Sequence, residues 1–151
     1  MDLGTIVRAD GVVLGLDAHS KKHAIQDVSA TAAKVTGLPE RAIFDPLLQR
    51  ERLGSTGVGN GIAIPHGKLV ELKELTGLFF RLKEPINFDA LDNAPVDLIF
   101  VLLAPEDAGA EHLKALAKIA GLLRAPGMVD QLRSATDRTE VLGLLTKTTV
   151  D

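Results

Sequence analysis

The chain has 151 residues, 46% hydrophobic and 25% charged, with a formal net charge of −3. That is enough to bury one core and too little for two, so 1–151 reads as a single domain of a soluble globular protein. The absence of cysteine excludes disulfides, thiol catalysis and thiolate metal sites, and aromatics limited to five Phe leave no stacking platform for bases. The acidic balance argues against nucleic acid as a main partner. With no apolar run near the ~20 residues of a membrane span, and no signal-peptide pattern at the N-terminus, the expectation is a cytoplasmic protein not inserted in a membrane.

Residues 11–16 (Gly-Val-Val-Leu-Gly-Leu) read as a short strand, after which Asp17 or Ser20 offers a helix N-cap. From Ser20 to Val35 the apolar residues Ala24, Ile25, Val28, Ala32 and Val35 recur at helical spacing, and Gly37 suits the C-terminal cap. Pro39 opens a second helix with Ile43, Phe44, Leu47 and Leu48 on its apolar face, fading out at Gly54. Pro46 inside that stretch predicts a kink or an interruption.

Ile62-Ala63-Ile64 reads as a brief strand ended by Pro65, which leaves His66 at a strand edge. Residues 75–82 and 96–104 are two further strands. The second is apolar almost throughout, the pattern of a strand buried on both faces. Pro85 to Pro95 reads as an irregular connection. A helix over 110–124 follows, with His112 in its first turn, then a short helix at 128–133 and a last one capped by Asp137 or Thr139 and ending near Thr146. The expected fold is α/β, a small mixed β-sheet flanked by α-helices on both faces.

The chemistry concentrates in residues 50–68, Arg-Glu-Arg-Leu-Gly-Ser-Thr-Gly-Val-Gly-Asn-Gly-Ile-Ala-Ile-Pro-His-Gly-Lys. Glycines allow positive φ and close backbone approach, hydroxyls and exposed N–H groups bind oxyanions, and imidazole is a nucleophile near neutral pH. The same glycines would also serve a tight helix-to-strand connection. A P-loop is excluded because five residues separate Gly61 from Gly67 and Leu69 follows Lys68. A dinucleotide fingerprint fails because the stretch leads into a strand, and Gly54-Ser55-Thr56-Gly57 is not a nucleophile elbow. Pro-His-Gly presents His66 to solvent rather than to a core.

Of the other histidines, His19 and His23 lie beside Lys21 and Lys22 on a solvated helix start. At a helix N-terminus, His112 has its imidazolium disfavoured and a nearby anion favoured. A zinc site from His66 and His112 lacks a suitably spaced third ligand, so no metal and no cofactor are expected.

The run from Arg50 to Lys68 closely resembles the signature of the EIIA domains of mannitol/fructose type (type 2) in the bacterial phosphoenolpyruvate-dependent phosphotransferase system, nearest to the nitrogen-regulatory EIIA branch. Pro85-Ile86-Asn87-Phe88-Asp89-Ala90-Leu91-Asp92-Asn93, Pro95-Val96-Asp97-Leu98-Ile99-Phe100 and the later His112-Leu113 extend the similarity over essentially the whole chain. The resemblance implies a mixed sheet flanked by helices and a phosphocarrier whose phosphoryl acceptor is His66, fed by an HPr-like phosphohistidine carrier. By the same resemblance His112 sits beside the acceptor and Arg50 assists it, and the regulated targets are proteins such as sensor kinases or potassium transport components. Ser55, Thr56 and the N–H groups of Gly57, Gly59 and Gly61 are candidates for the rest of a phosphate cradle. Two other roles stay open: a sugar-specific EIIA that passes its phosphoryl group to a fructose or mannitol permease B domain, and a non-catalytic interaction module.

Overall fold

The structure, a computed structural model, describes residues 2–146. After a 3-10 turn at Leu3–Thr5 come strand β1 (Val7–Leu16) and helices α1 (Lys21–Thr36) and α2 (Glu40–Leu53). Strands β2 (Gly57–Gly59), β3 (Ile62–Ala63), β4 (His66–Leu69), β5 (Thr76–Ile86) and β6 (Val96–Pro105) follow, then helices α3 (Ala110–Arg124), α4 (Met128–Ser134) and α5 (Arg138–Thr146). None of these helices is long and apolar enough to cross a membrane.

The strands form one mixed sheet in the order β1-β5-β6-β3-β2, with β4 also pairing β6. β6 lies at its centre and shows why. Alternate side chains of a strand point to opposite faces. Phe100 and Leu102 join Phe79, Val12, Ile119, Leu132 and Val141 in one core under α3, α4 and α5. Ile99, Val101 and Leu103 join Phe80, Ile25, Val28, Ile43 and Leu47 in a second core under α1 and α2. Both faces are buried, which is what the unbroken apolar run required.

The helix ends follow local chemistry. Ser20 Oγ accepts from the His23 N–H at 3.1 Å, and Gly37 closes α1 in the left-handed region with its N–H on the Ala33 carbonyl. Asp137 Oδ1 accepts the Glu140 N–H at 2.8 Å at the start of α5. Pro46 neither kinks α2 to an end nor interrupts it: the helix runs through Glu40–Leu53 as one element and tolerates the lost N–H.

Three strand boundaries differ from the sequence reading. β1 starts at Val7 rather than 11, because the exposed Arg8-Ala9-Asp10 segment breaks the alternation while the pairing with β5 shifts register between Val7 and Val12. β5 continues to Ile86 through Pro85, where Ile86 re-pairs with Val96 after a second irregularity. Most important for the site, Pro65 does not end a strand for good. Ile62 and Ala63 pair with Leu98 and Ile99, and His66 to Leu69 pair with Leu102 to Pro105 in the same parallel alignment along β6. Pro65 lacks an N–H but its carbonyl still accepts from Leu102 N at 3.0 Å, so β4 resumes where β3 left off.

Candidate functional site

His66 opens β4, Arg50 lies in the last turn of α2, and His112 lies in the first turn of α3. The fold brings these three together. Arg50 Nε donates to His66 Nε2 at 3.2 Å, and Arg50 Nη1 donates to the Gly54 carbonyl at 2.9 Å. The cation at the C-terminal end of α2 also complements the helix dipole. The His66 and His112 rings are 5.6 Å apart between centroids, inclined at 57°.

The protonation pattern of His66 follows from its partners. Nδ1 lies 2.8 Å from the Ile64 carbonyl oxygen, which can only accept, so Nδ1 carries the hydrogen. Nε2 then holds the lone pair, and Arg50 donates to it. The His66 pKa is lowered below the ordinary histidine value, chiefly by burial, with the Arg50 charge adding to the effect and the Ile64 carbonyl and Glu51 carboxylate opposing it. His112 is lowered too, first by burial and then by the neighbouring His66 and Lys68. Both rings are therefore held toward the neutral form. His112 is 8% exposed, and its Nε2 has no hydrogen-bond partner among the described residues.

Between α2 and His66 the chain makes a hairpin. β2 and β3 are antiparallel and joined by Asn60-Gly61, with φ of 57° and 78°. Positive φ at both positions is the type I′ turn that Asn-Gly favours. Gly61 also sits under an arginine: a Cβ there would overlap Arg133 Nη2, which donates to the Asn60 carbonyl while Arg133 pairs with Asp97. At Gly57 a Cβ would lie 2.8 Å from that of Ala90, so this glycine admits the 88–92 segment against the hairpin. Gly59 approaches the Asp92 carboxylate in the same way.

The two hydroxyls are committed as well. Ser55 Oγ donates to the Phe88 carbonyl at 2.7 Å and accepts from Gly57 N at 3.0 Å. Thr56 Oγ1 donates to the Glu51 carboxylate, and Thr56 N donates to Glu51 Oε1 at 3.1 Å. Of the phosphate-cradle candidates, the Ser55 and Thr56 hydroxyls and the Gly57 N–H are thus engaged within the protein, and Gly57, Gly59 and Gly61 lie at close approaches of the hairpin. Their hydroxyls and close approaches are taken up in building the hairpin that positions His66. His19 and His23 are surface residues at the start of α1, each beside a carboxylate, Asp17 and Asp27.

Residues 5–148 match the family described as phosphoenolpyruvate-dependent sugar phosphotransferase system, EIIA 2. The chain belongs to this EIIA type 2 family. This EIIA domain is 50% identical over 145 residues to a nitrogen regulatory protein of Bradyrhizobium diazoefficiens, an alignment covering 96% of this chain and 95% of that protein. Its fold is similar to the crystal structure of nitrogen regulatory protein IIA-Ntr from Neisseria meningitidis, with a TM-score of 0.90, 40% identity and coverage of 95% and 99% of the two chains. The mannitol IIA of Escherichia coli has the same fold at a TM-score of 0.76 and 25% identity, over 91% of this chain and 97% of that one. The EIIA domain is thus a phosphocarrier akin to the nitrogen-regulatory branch, and its family works by phosphoryl transfer between proteins.

One residue escaped the sequence reading. Glu51 lies between two exposed-looking arginines at a helix end, yet its side chain is only 2% exposed and pairs with Lys21 Nζ at 3.0 Å. Helical phase carried the signal, since Glu51 falls four residues after the buried Leu47.

Proposed function

We propose that this domain carries a phosphoryl group on His66 Nε2, received from an HPr-like phosphohistidine carrier of the nitrogen branch, and that the state of His66 regulates target proteins. The observation that carries this reading is the spent Nδ1: with its hydrogen held by the Ile64 carbonyl, Nε2 is the ring nitrogen with an electron pair to give.

In the transfer, the Nε2 pair forms the new N–P bond while the donor's N–P bond breaks and returns its pair to the donor imidazole. No proton need move, because Nδ1–H stays on the Ile64 carbonyl and stabilises the positive ring that forms. Arg50 Nε–H exchanges its acceptor, from the nitrogen to a phosphoryl oxygen, and offers its fork to the charge on the equatorial oxygens. His112 Nε2, buried and without a hydrogen-bond partner among the described residues, is the second donor when protonated at that nitrogen. Depressed pKa values keep both rings neutral near pH 7, so His66 is a nucleophile for most of the time.

A protein donor fits better than a small molecule. Leu53 on α2 and Leu113 on α3 are 85% and 69% exposed, next to the helix ends that carry Arg50 and His112. We place the contact with the donor protein at these two side chains. A cytoplasmic location goes with a donor chain that begins at phosphoenolpyruvate. The phosphate added to His66 changes the local charge by roughly −1.5 to −2, which is the signal a target would read.

The test is to incubate the protein with phosphoenolpyruvate, the first enzyme of the pathway and the HPr-like carrier, and to measure intact mass. A gain of one phosphoryl group that disappears in His66→Ala supports the carrier. No gain in the wild-type protein overturns it and leaves an interaction module. Passage of the group onward to a sugar-permease B domain would assign the domain to sugar transport instead.

A further inference from the structure

We propose that Glu51, through Thr56, is a positioning residue that holds both nitrogens of the His66 ring, an inference that rests on His66 being the phosphoryl acceptor. Glu51 does not touch His66 by any hydrogen bond of its own. Its carboxylate, buried at the end of α2, accepts from Thr56 N and Thr56 Oγ1 and is paired with Lys21 Nζ at 3.0 Å. Lys21 in turn stands 5.1 Å over the Phe88 ring, and Phe88 lends its carbonyl to Ser55 Oγ. Segment 54–56 is therefore anchored from α1, from α2 and from the 88–92 connection.

Two arms lead from that anchor to the imidazole. One runs along the turn out of α2. The Gly54 carbonyl, in the anchored segment, takes Arg50 Nη1 at 2.9 Å, and Arg50 Nε then meets His66 Nε2 at 3.2 Å. A long side chain gripped at one end of its guanidinium has few ways to place the other end. The second arm crosses to the strand. The Thr56 carbonyl accepts from Ile64 N at 3.0 Å, and the Ile64 carbonyl accepts from His66 Nδ1 at 2.8 Å. Thr56 thus sets where Ile64 lies, and Ile64 sets the tautomer.

A buried carboxylate suits this task because it accepts several hydrogen bonds at once, and each is stronger for the charge. Glutamine at 51 would keep the shape while replacing one accepting oxygen with a donor that faces Lys21 or Thr56. The expected result is a folded protein in which Arg50 and His66 are loosely held. Misplacement on the scale of an ångström is enough to cost about tenfold to a hundredfold in rate.

Two measurements test this together. In unphosphorylated protein, nitrogen-15 NMR of the Arg50 Nε–H and the His66 ring is compared among wild type, Glu51→Gln and Thr56→Val. The result expected is a single Nδ1–H tautomer and a protected Arg50 Nε–H in wild type, with a tautomer mixture and fast exchange in Glu51→Gln. Thr56→Val should show part of that change and Thr56→Ser should reverse it. An unchanged tautomer and unchanged protection in folded Glu51→Gln and Thr56→Val would overturn the inference.

Single-turnover transfer from the phosphorylated carrier is then measured in the same proteins. Glu51→Gln is expected to lower the rate at saturating carrier by about tenfold or more, leave the half-saturating concentration unchanged, and cost distinctly less when Arg50 is already alanine. The same loss in both backgrounds, or a change confined to half-saturation, would also overturn it. If the wild type accepts no phosphoryl group, the carrier reading fails while the NMR comparison still decides what Glu51 does.

Discussion

Arg50→Ala separates two contributions that the site superimposes. The guanidinium makes a charge-assisted bond to the nucleophile's own nitrogen at 3.2 Å and a second, at 2.9 Å, that aims it. A charge-assisted hydrogen bond contributes about 1.5–3 kcal/mol. If that interaction passes to the phosphoryl oxygens in the transition state, its loss slows transfer roughly 10- to 100-fold, at about 1.4 kcal/mol per decade. The second contribution depends on pH. The Arg50 charge is one of the causes that lower the His66 pKa, after burial, so removing it raises that pKa and protonates more of the nucleophile on the acid side. The acid limb of the rate profile must therefore move to higher pH in Arg50→Ala, and the defect must be deeper at pH 6 than at pH 8. Arg50→Lys keeps the charge without the fork, so its acid limb should stay near wild type while a rate loss remains. The assay is rapid-quench transfer from the phosphorylated carrier across pH 5.5–8.5. An acid limb that stays put or moves downward in Arg50→Ala, or a rate within twofold of wild type at pH 8, would refute the role given to Arg50.

Three further outcomes follow from the same geometry. His112→Ala should slow the transfer about tenfold or more without removing the acceptor, so the intact-mass gain persists at long incubation; a wild-type rate would show that the buried Nε2 is not a donor. Because folding lowers the pKa of both His66 and His112, the unfolded chain binds more protons as pH falls below about 6.5, so stability should drop on acidification through that window. Urea unfolding at pH 7.5 and 5.5 measures the drop, which should shrink in His112→Phe. Gly61→Ala should cost about 1–3 kcal/mol, since it places a Cβ at positive φ and into Arg133; urea denaturation that found it neutral would remove the turn argument.

Much of this site was legible because its signals are local. Pro-His-Gly marked His66 and a first-turn position marked His112, while Arg50 entered only through the family resemblance. Their convergence depends on β6, which aligns His66 with Leu102 and leads on to α3, and no local pattern conveys that. The glycines were ambiguous for a physical reason. Close approach to a phosphate and close approach to Ala90 or Arg133 ask the same thing of a residue, the absence of a Cβ. Asn60-Gly61 did carry a turn signal, which points to the hairpin. Glu51 was hidden because a carboxylate between Arg50 and Arg52 looks solvated, and only the packing of α1 against α2 brings Lys21 to it. Strand β4 was hidden by Pro65, whose missing N–H signals a strand end although its carbonyl keeps the ladder going.

The most direct measurement is heteronuclear NMR of the phosphorylated protein, reading phosphorus-31 to nitrogen-15 coupling on the histidine rings. A phosphoryl group on Nε2 of His66, with Nδ1 still protonated against the Ile64 carbonyl, is the result expected. Coupling to Nδ1 of His66, or to His112, would contradict it.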